Sequence, residues 1–192
     1  MKQEELSQKR KEQMAASLKK LMAKKSLQKI TIQEIADDCG MNRYTFYYHF
    51  QDIYDLLSWT LHQDAVSLLH RSEKCLTWED GLYLFLQNIR EDAVVYKCIL
   101  NSLAHETLRT MFFEEASHLV QLYLADLKGS HRISENYLHF LRDFFTSAFC
   151  GFFLEWIRND LNMPEETIIK YLRVTLDGTL ESIFQRSEKE GL

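Results

Sequence analysis

Apolar residues recur every three or four positions along most of the chain, which is the spacing of one face of an α-helix. The pattern predicts a first helix over residues 5–25, a second from Thr31 to about Asp38, and a third from Arg43 to His49 or Phe50. Longer helices are predicted over residues 53–69, 77–96, 105–127, 137–157 and 164–184. The predicted fold is therefore all-α.

The last two predicted helices have the widest apolar stripes, with steps of three and one residues repeated over several turns. One interpretation is that such helices pack within their own domain alone. Gly151 and Gly178, however, would let another helix approach closely. We favour a terminal helix pair that joins its symmetry mate in a four-helix bundle. The residues predicted for this dimer interface are Phe145, Phe149, Phe152, Trp156, Tyr171, Leu176 and Leu180.

The composition supports an all-helical chain with short connections. It includes 6 Gly and 1 Pro in 192 residues, where average usage would give roughly 23 of the two together. Sandwiches, barrels and loop-rich folds need more turn residues than that. The cysteines Cys39, Cys75, Cys98 and Cys150 form no CxxC pair and indicate reduced, buried thiols. The N-terminus has no apolar signal region, so a cytosolic protein without a membrane span is expected.

Sequence patterns of enzymes do not occur in this chain. GxSxG, HExxH, Walker and GxGxxG patterns are missing, and the seven His are scattered. We therefore expect neither catalysis nor a dedicated metal or cofactor site.

The net charge of −5 conceals an uneven distribution. Residues 1–50 carry ten basic and six acidic residues, a net charge of +4, and the remaining 142 residues carry a net charge of −9. A basic segment on an acidic body suggests two tasks, one of them binding a polyanion, although lysine-rich faces can also be merely solvated. The negative total is therefore no argument against nucleic acid.

The most informative segment is residues 30–57, where two short helices are joined through Gly40. Thr31 and Glu34 have the spacing of a capping box, and Asn42 can cap the following helix. The core of this helix-turn-helix is expected to contain Ile32, Ile35, Ala36, Met41, Phe46 and Phe50. The residues expected to face outward on the second of these helices are Arg43, Tyr44, Thr45, Tyr47, Tyr48 and His49. They are cationic, aromatic and hydroxyl-bearing, which suits phosphates and base edges in a major groove.

This segment resembles the TetR family of transcriptional regulators. The matching residues are Thr31, Glu34, Ile35 and Ala36 at the start of one helix, Gly40 at the turn, and Thr45, Phe46, Tyr47, His49 and Phe50 in the next helix. Residues 144–166 look like the C-terminal domain of a subgroup of this family that is typical of Firmicutes, and residues 42–57 resemble activators of dihydroxyacetone-kinase operons.

The resemblance implies roles for individual residues. Thr31 and Gln33 would approach the DNA backbone, Arg43, Tyr44 and Thr45 would address bases, and Tyr47 and His49 would hold phosphates. Tyr48 would join this surface, with packing on the first helix as the alternative, and His49 would alternatively only cap its helix. Position 44 is often small in the family and position 53 is commonly Lys, whereas this chain has Tyr44 and Ile53.

The expected organisation is a three-helix DNA-binding domain at residues 1–50, with a linking helix starting at residues 51–57. A helical regulatory and dimerisation domain at residues 51–192 would follow. Candidate lining residues for an effector pocket are Trp59, His62, Asp64, Tyr83, Tyr96, His105 and His118. The main hypothesis is a homodimer whose affinity for double-stranded operator DNA is set by a small-molecule effector. The alternative is an activator controlled by a partner protein.

Overall fold

The computed structural model describes residues 2–72, 77–102, 105–128 and 131–191, and within these ranges the chain has helices and no strand. The helices are α1 (Lys2–Met22), α2 (Ile32–Asp38), α3 (Arg43–His49), α4 (Ile53–Ser72), α5 (Trp78–Glu91), α6 (Ala93–Leu100), α7 (His105–Lys128), α8 (Glu135–Arg158), α9 (Glu165–Leu176) and α10 (Thr179–Glu190). A 3₁₀ turn, Leu27–Lys29, lies between α1 and α2. The prediction of an all-α fold is confirmed.

Two of the predicted helices are each divided in two. The helix predicted over residues 77–96 ends at Glu91, and Asp92 has non-helical angles (φ −101°, ψ 23°) before α6 begins. The helix predicted over residues 164–184 ends at Leu176, and Gly178 has a φ of +67°, which a residue without a Cβ adopts readily. In both segments the apolar stripe continues past the break. Hydrophobic periodicity alone therefore did not reveal either break.

Contacts divide the described helices into two compact units. The first unit contains α1 to α4, the end of α5 from Asn88, and α6. The second unit contains the start of α5 up to Gln87, α7 from Arg109, and α8 to α10. In the structure α4 packs on α1 and buries Leu56 and Leu57, which lie in the segment assigned to the start of the linking helix. The domain boundary after Phe50 stays a prediction.

The first unit is built around α1, which packs against α2, α3, α4 and α6. Of the predicted helix-turn-helix core, Ile35, Ala36, Phe46 and Phe50 are buried, and Ile32 and Met41 are half-buried. Met14 and Leu18 of α1 are 1% and 0% exposed. The apolar face of α1 therefore covers the core of the helix-turn-helix.

The second unit has its own apolar cluster, formed by Val120, Leu124, Ile133, Leu141, Leu180 and Phe184. No helix among the described residues combines the length and apolarity needed to cross a bilayer. Cys39 and Cys98 are half-buried free thiols and Cys150 is a buried one. Cys75 lies outside the described residues, as do the side chains of His105 and His118.

Candidate DNA-binding surface

The start of α2 is fixed by the predicted capping box. The Thr31 hydroxyl accepts a hydrogen bond from the Glu34 backbone N–H at 3.3 Å, and Glu34 Oε2 accepts one from the Thr31 backbone N–H at 2.9 Å. Hydrogen bonds from Lys25 and then from Thr31 lower the pKa of Glu34 to about 2. Gln33 is exposed beside them, and its amide donates to Asp37 at 2.7 Å. This end of α2 is thus a rigid, solvent-facing helix start.

The turn between α2 and α3 depends on Gly40, whose φ is +62°. The Gly40 backbone N–H donates to the Asp37 carbonyl at 3.1 Å, and the Met41 N–H donates to the Ala36 carbonyl at 2.9 Å. This pair of bonds is a Schellman motif, in which a left-handed residue closes the helix. It turns the chain directly into α3.

Helix α3 has one buried side and one open side. The Asn42 side chain caps its first turn by accepting from the Tyr44 backbone N–H at 2.5 Å, and Phe46 is buried to 1% exposure. On the open side Tyr44 is 78% exposed, Tyr48 is 75% exposed and Tyr47 is 48% exposed. We call the open side the α3 surface and define it by Arg43, Tyr44, Thr45, Tyr47 and Tyr48. With 75% of its surface exposed, Tyr48 is open to a partner rather than packed away on α1.

Arg43 is held in place by Tyr47, one turn further along α3. A guanidinium nitrogen of Arg43 donates to the Tyr47 hydroxyl at 3.2 Å, and the guanidinium carbon lies 5.6 Å from the centre of the ring. The hydrogen bond from Arg43 to Tyr47 raises the pKa of the guanidinium. An arginine side chain carries a permanent positive charge, and a cation–π contact of this kind orients it at an exposed site.

His49 lies at the end of α3 and faces α1. The Ser7 hydroxyl is 3.5 Å from its Nδ1, and its Nε2 is buried without a hydrogen-bond partner. Burial, followed by the charges of Lys11 and Arg10, lowers the pKa of His49. In this structure the ring packs between α1 and α3, and its phosphate role stays a prediction.

Sequence reasoning missed a second link between α1 and the end of α3. The Lys11 ammonium lies 5.8 Å from the ring centres of both Phe50 and Trp59, which are themselves 5.8 Å apart. Trp59 was a candidate pocket residue but is engaged in this cluster. Lys11 precedes Met14 and Leu18 by three and seven residues and so lies on the same face of α1. A single lysine in line with an apolar stripe does not show which rings it contacts, so only the folded arrangement reveals the contact.

The residues predicted for dimerisation differ in their exposure. Trp156 and Leu180 are each 3% exposed inside their own unit, and the Trp156 indole N–H donates to the Met163 carbonyl at 3.0 Å. Phe145 and Phe149 are half-buried against the apolar cluster, and Leu176 is half-buried. Phe152 and Tyr171 are exposed, by 39% and 57%. The two buried side chains are therefore core residues, and the interface stays a prediction for the others.

Sequence reasoning missed an exposed line of residues along α8. Phe140 and Phe144 are 58% and 56% exposed, and their rings stack 5.9 Å apart. We define the α8 stripe by Phe140, Phe144, Ser147, Ala148, Gly151 and Phe152, all of which are exposed. Their spacing of three and four residues was visible in the sequence. The apolar pattern was so wide, however, that it did not show which part faces outward.

The candidate pocket residues do not gather at one described site. Asp64 pairs with Lys19 at 2.7 Å and Tyr96 is buried in the first unit, whereas the Tyr83 hydroxyl donates to Glu166 at 3.3 Å in the second unit. His62 is exposed. The described side chains therefore have structural partners of their own or face solvent.

Comparisons with known proteins agree with this architecture. Residues 16–58 match the family model for bacterial regulatory proteins of the tetR family, and residues 76–178 match a model for a transcriptional regulator C-terminal region. The HTH-type dhaKLM operon transcriptional activator DhaS of Lactococcus lactis subsp. lactis (strain IL1403) is 29% identical over 86 residues. That alignment covers 45% of this chain and 46% of the relative, which is less than half of either length.

The fold also matches a solved structure over most of the chain. The dihydroxyacetone kinase operon activator DhaS superposes with a TM-score of 0.72 at 21% identity, covering 92% of this chain and 96% of the other. At that identity the likeness concerns the fold. The helix-turn-helix geometry and the two family models together show that the chain belongs to the TetR family of transcriptional regulators.

Proposed function

We propose that this regulator binds operator DNA by placing α3 in the major groove, with Arg43, Tyr44 and Thr45 toward base edges. The observation that carries the proposal is the α3 surface, which combines an oriented cation with exposed tyrosines and contains no acidic residue. Thr31, Gln33 and Tyr47 provide polar groups for the flanking phosphates. The proposed place of action is the bacterial cytoplasm, where operators are found.

The test is selection of bound fragments from a random pool of double-stranded DNA, followed by titration of the selected fragment. A sequence-specific DNA-binding protein enriches one sequence, and the logarithm of the protein's affinity for that fragment falls linearly with the logarithm of salt concentration. Recovery of random sequences only would contradict the proposal.

The second part of the proposal is a homodimer formed through the α8 stripe and the exposed residues of α9. Tyr171 and Val174 on α9 are 57% and 72% exposed, so each helix offers apolar surface to a partner. Ser147, Ala148 and Gly151 lie at the middle of the stripe, where small side chains allow helices to approach closely. Binding to two half-sites one turn of DNA apart would require the two copies of α3 to lie about 34–36 Å apart.

The proposed direction of regulation is activation, as the name of the Lactococcus lactis relative states for that protein. Fusion of the selected operator to a reporter gene tests this in cells with and without the regulator. Higher expression with the regulator supports activation, and lower expression contradicts it.

The signal that controls DNA binding is proposed to act on the helices after α4. A small effector is one candidate and a partner protein is the other. Asp64 is paired with Lys19 and Tyr96 is buried in the first unit, and the Tyr83 hydroxyl donates to Glu166 in the second unit. Because these contacts leave fewer described polar groups for a small ligand, we favour the partner protein. Fractionation of a native extract tests both: a factor that changes operator affinity and passes a small-pore dialysis membrane is an effector, and one that is retained and protease-sensitive is a protein.

A further inference from the structure

A network of three charged side chains joins helices of the first unit. The Lys19 ammonium of α1 lies 2.7 Å from Oδ2 of Asp64 on α4 and 2.7 Å from Oδ2 of Asp92, between α5 and α6. The exposure of the three side chains is 26%, 26% and 34%. Because one ammonium group pairs with both carboxylates, α4 and the segment between α5 and α6 are both held against the Lys19 side chain of α1.

Asp92 is attached to α6 as well as to α1. Its backbone carbonyl accepts hydrogen bonds from the N–H groups of Val95 at 2.9 Å and Tyr96 at 3.1 Å, which form the first turn of α6. The Tyr96 side chain is 5% exposed, and burial together with the charges of Asp64 and Asp92 raises its pKa. Asn88 donates to its hydroxyl at 3.4 Å. Asp92 therefore connects the start of α6 to α1 in addition to the packing between these two helices.

Two neighbouring ion pairs at the end of α1 join it only to α2. Lys20 pairs with Asp38 at the end of α2, and Lys25, just after α1, pairs with Glu34 in α2. Both pairs stay within the DNA-binding helices. Lys19, on the same helix, connects those helices to α4 and to the start of α6.

Resting on the proposed DNA-binding function, we propose that Lys19, Asp64 and Asp92 form a clamp that couples the position of α6 to the DNA-binding helices. A signal that shifts α6 pulls Asp92 away from Lys19, and the Lys19–Asp64 pair then joins α1 to α4 without being positioned by the start of α6. Since α3 packs on α1, its presentation to DNA changes with the clamp. Coupling between two sites is reciprocal, so DNA bound at α3 must in turn stabilise α6.

The test is amide hydrogen exchange with and without the DNA fragment selected by the wild-type chain. In the wild type, the fragment should slow exchange in both α3 and α6. In Lys19→Met, it should slow exchange in α3 alone, and the fragment should bind about tenfold more weakly, within the usual range of coupling energies. The slope of affinity against salt should not change, because Lys19 is a positioning residue without a phosphate of its own.

Three further variants separate coupling from loss of stability. Lys20→Met removes a lysine of the same helix whose pair does not leave the DNA-binding helices, and it should keep the protection of α6. Asp92→Asn keeps the Lys19–Asp64 pair and should lose the protection of α6. This variant provides the test if Lys19→Met does not fold. The charge swap Lys19→Asp with Asp64→Lys keeps one ammonium between two carboxylates and should restore it.

The clamp would be overturned if the wild type binds the fragment without protecting α6, or if Lys19→Met and Asp92→Asn both retain the protection. A salt slope smaller by about 1 in Lys19→Met would also overturn it, by assigning Lys19 to a phosphate. Failure to select any fragment with the wild type would overturn the proposed DNA-binding function instead.

Discussion

The molecule exposes two aromatic surfaces that differ in the polar groups around their rings. On the α3 surface every exposed ring carries a hydroxyl and one of them holds a guanidinium, whereas on the α8 stripe the rings are phenylalanines separated by Ser147, Ala148 and Gly151. Hydroxyls and cations match phosphates and base edges. Bare rings around small residues match a second apolar helix. The same exposure of aromatic area thus supports different partners according to its hydrogen-bonding groups.

The two surfaces also differ in the buried residues that hold their helices in place. Phe46 anchors α3 from the opposite side, and the turn at Gly40 and the cap at Asn42 fix its N-terminal end. Under α8, Leu141, Phe149 and Phe153 pack into the second unit. The α3 surface depends on local backbone geometry, whereas the α8 stripe depends on a continuous apolar core. Substitutions that respect this difference should separate DNA binding from self-association.

The largest effect is expected from a charge on the α8 stripe. Phe152→Glu should convert dimers to monomers, because an unpaired charge in an interface costs about 3–5 kcal/mol, roughly a hundredfold or more in dimer affinity. Leu176→Glu should act in the same direction. Val94→Glu, at an apolar residue of α6 that is 56% exposed, is the matched control. Sedimentation at several concentrations measures the result, and an unchanged dimer would remove Phe152 and Leu176 from the interface.

A smaller effect confined to DNA is expected for Arg43→Ala. Loss of one base-reading contact costs about 1–3 kcal/mol of discrimination, so the selected fragment should lose most of its advantage over random DNA in a gel-shift titration. Dimerisation should persist. Arg186→Ala, an exposed arginine on α10, should leave both properties unchanged. Retained selection of the same operator by Arg43→Ala would show that the assignment of α3 as the recognition helix is wrong.

Local signals made the α3 surface predictable, whereas the α8 stripe required the folded structure. Thr31 with Glu34, Gly40 and Asn42 act over a few residues, and the structure confirms the capping box, the turn and the cap. The break at Asp92 is stabilised by Lys19, which is 73 residues away in sequence and gives no local pattern.

The outward face of α8 raised the same difficulty. Phe144 and Phe145 are neighbours in an apolar run, and only packing against the apolar cluster decides that Phe145 turns inward. His49 likewise fits a phosphate position in the family pattern, while its surroundings on α1 become apparent only in the fold.

A glycine from each surface region gives the next comparison, with expected changes of about 1 kcal/mol in the free energy of unfolding. Gly40→Ala should lower the free energy of unfolding by about 1 kcal/mol, because an L side chain at a left-handed φ is strained. Gly151→Ala should stabilise the isolated chain by about 0.5–1 kcal/mol, since its Cβ meets no atom within 4 Å in the middle of a helix. Urea unfolding measures both. In the proposed dimer the added methyl should weaken association, and equal dimer affinity would place Gly151 outside the contact.

The smallest effect tests whether His49 belongs to the α3 surface or to the packing against α1. Its pKa in the folded chain lies below the ordinary 6.5, so as pH falls below about 6.5 the unfolded chain takes up more protons and the free energy of unfolding decreases. His49→Gln should reduce that decrease between about pH 7.5 and about pH 5.5, as measured by urea unfolding. Its salt slope for the selected fragment should equal that of the wild type. A slope smaller by about 1 would instead return His49 to the phosphate role that the family resemblance implies.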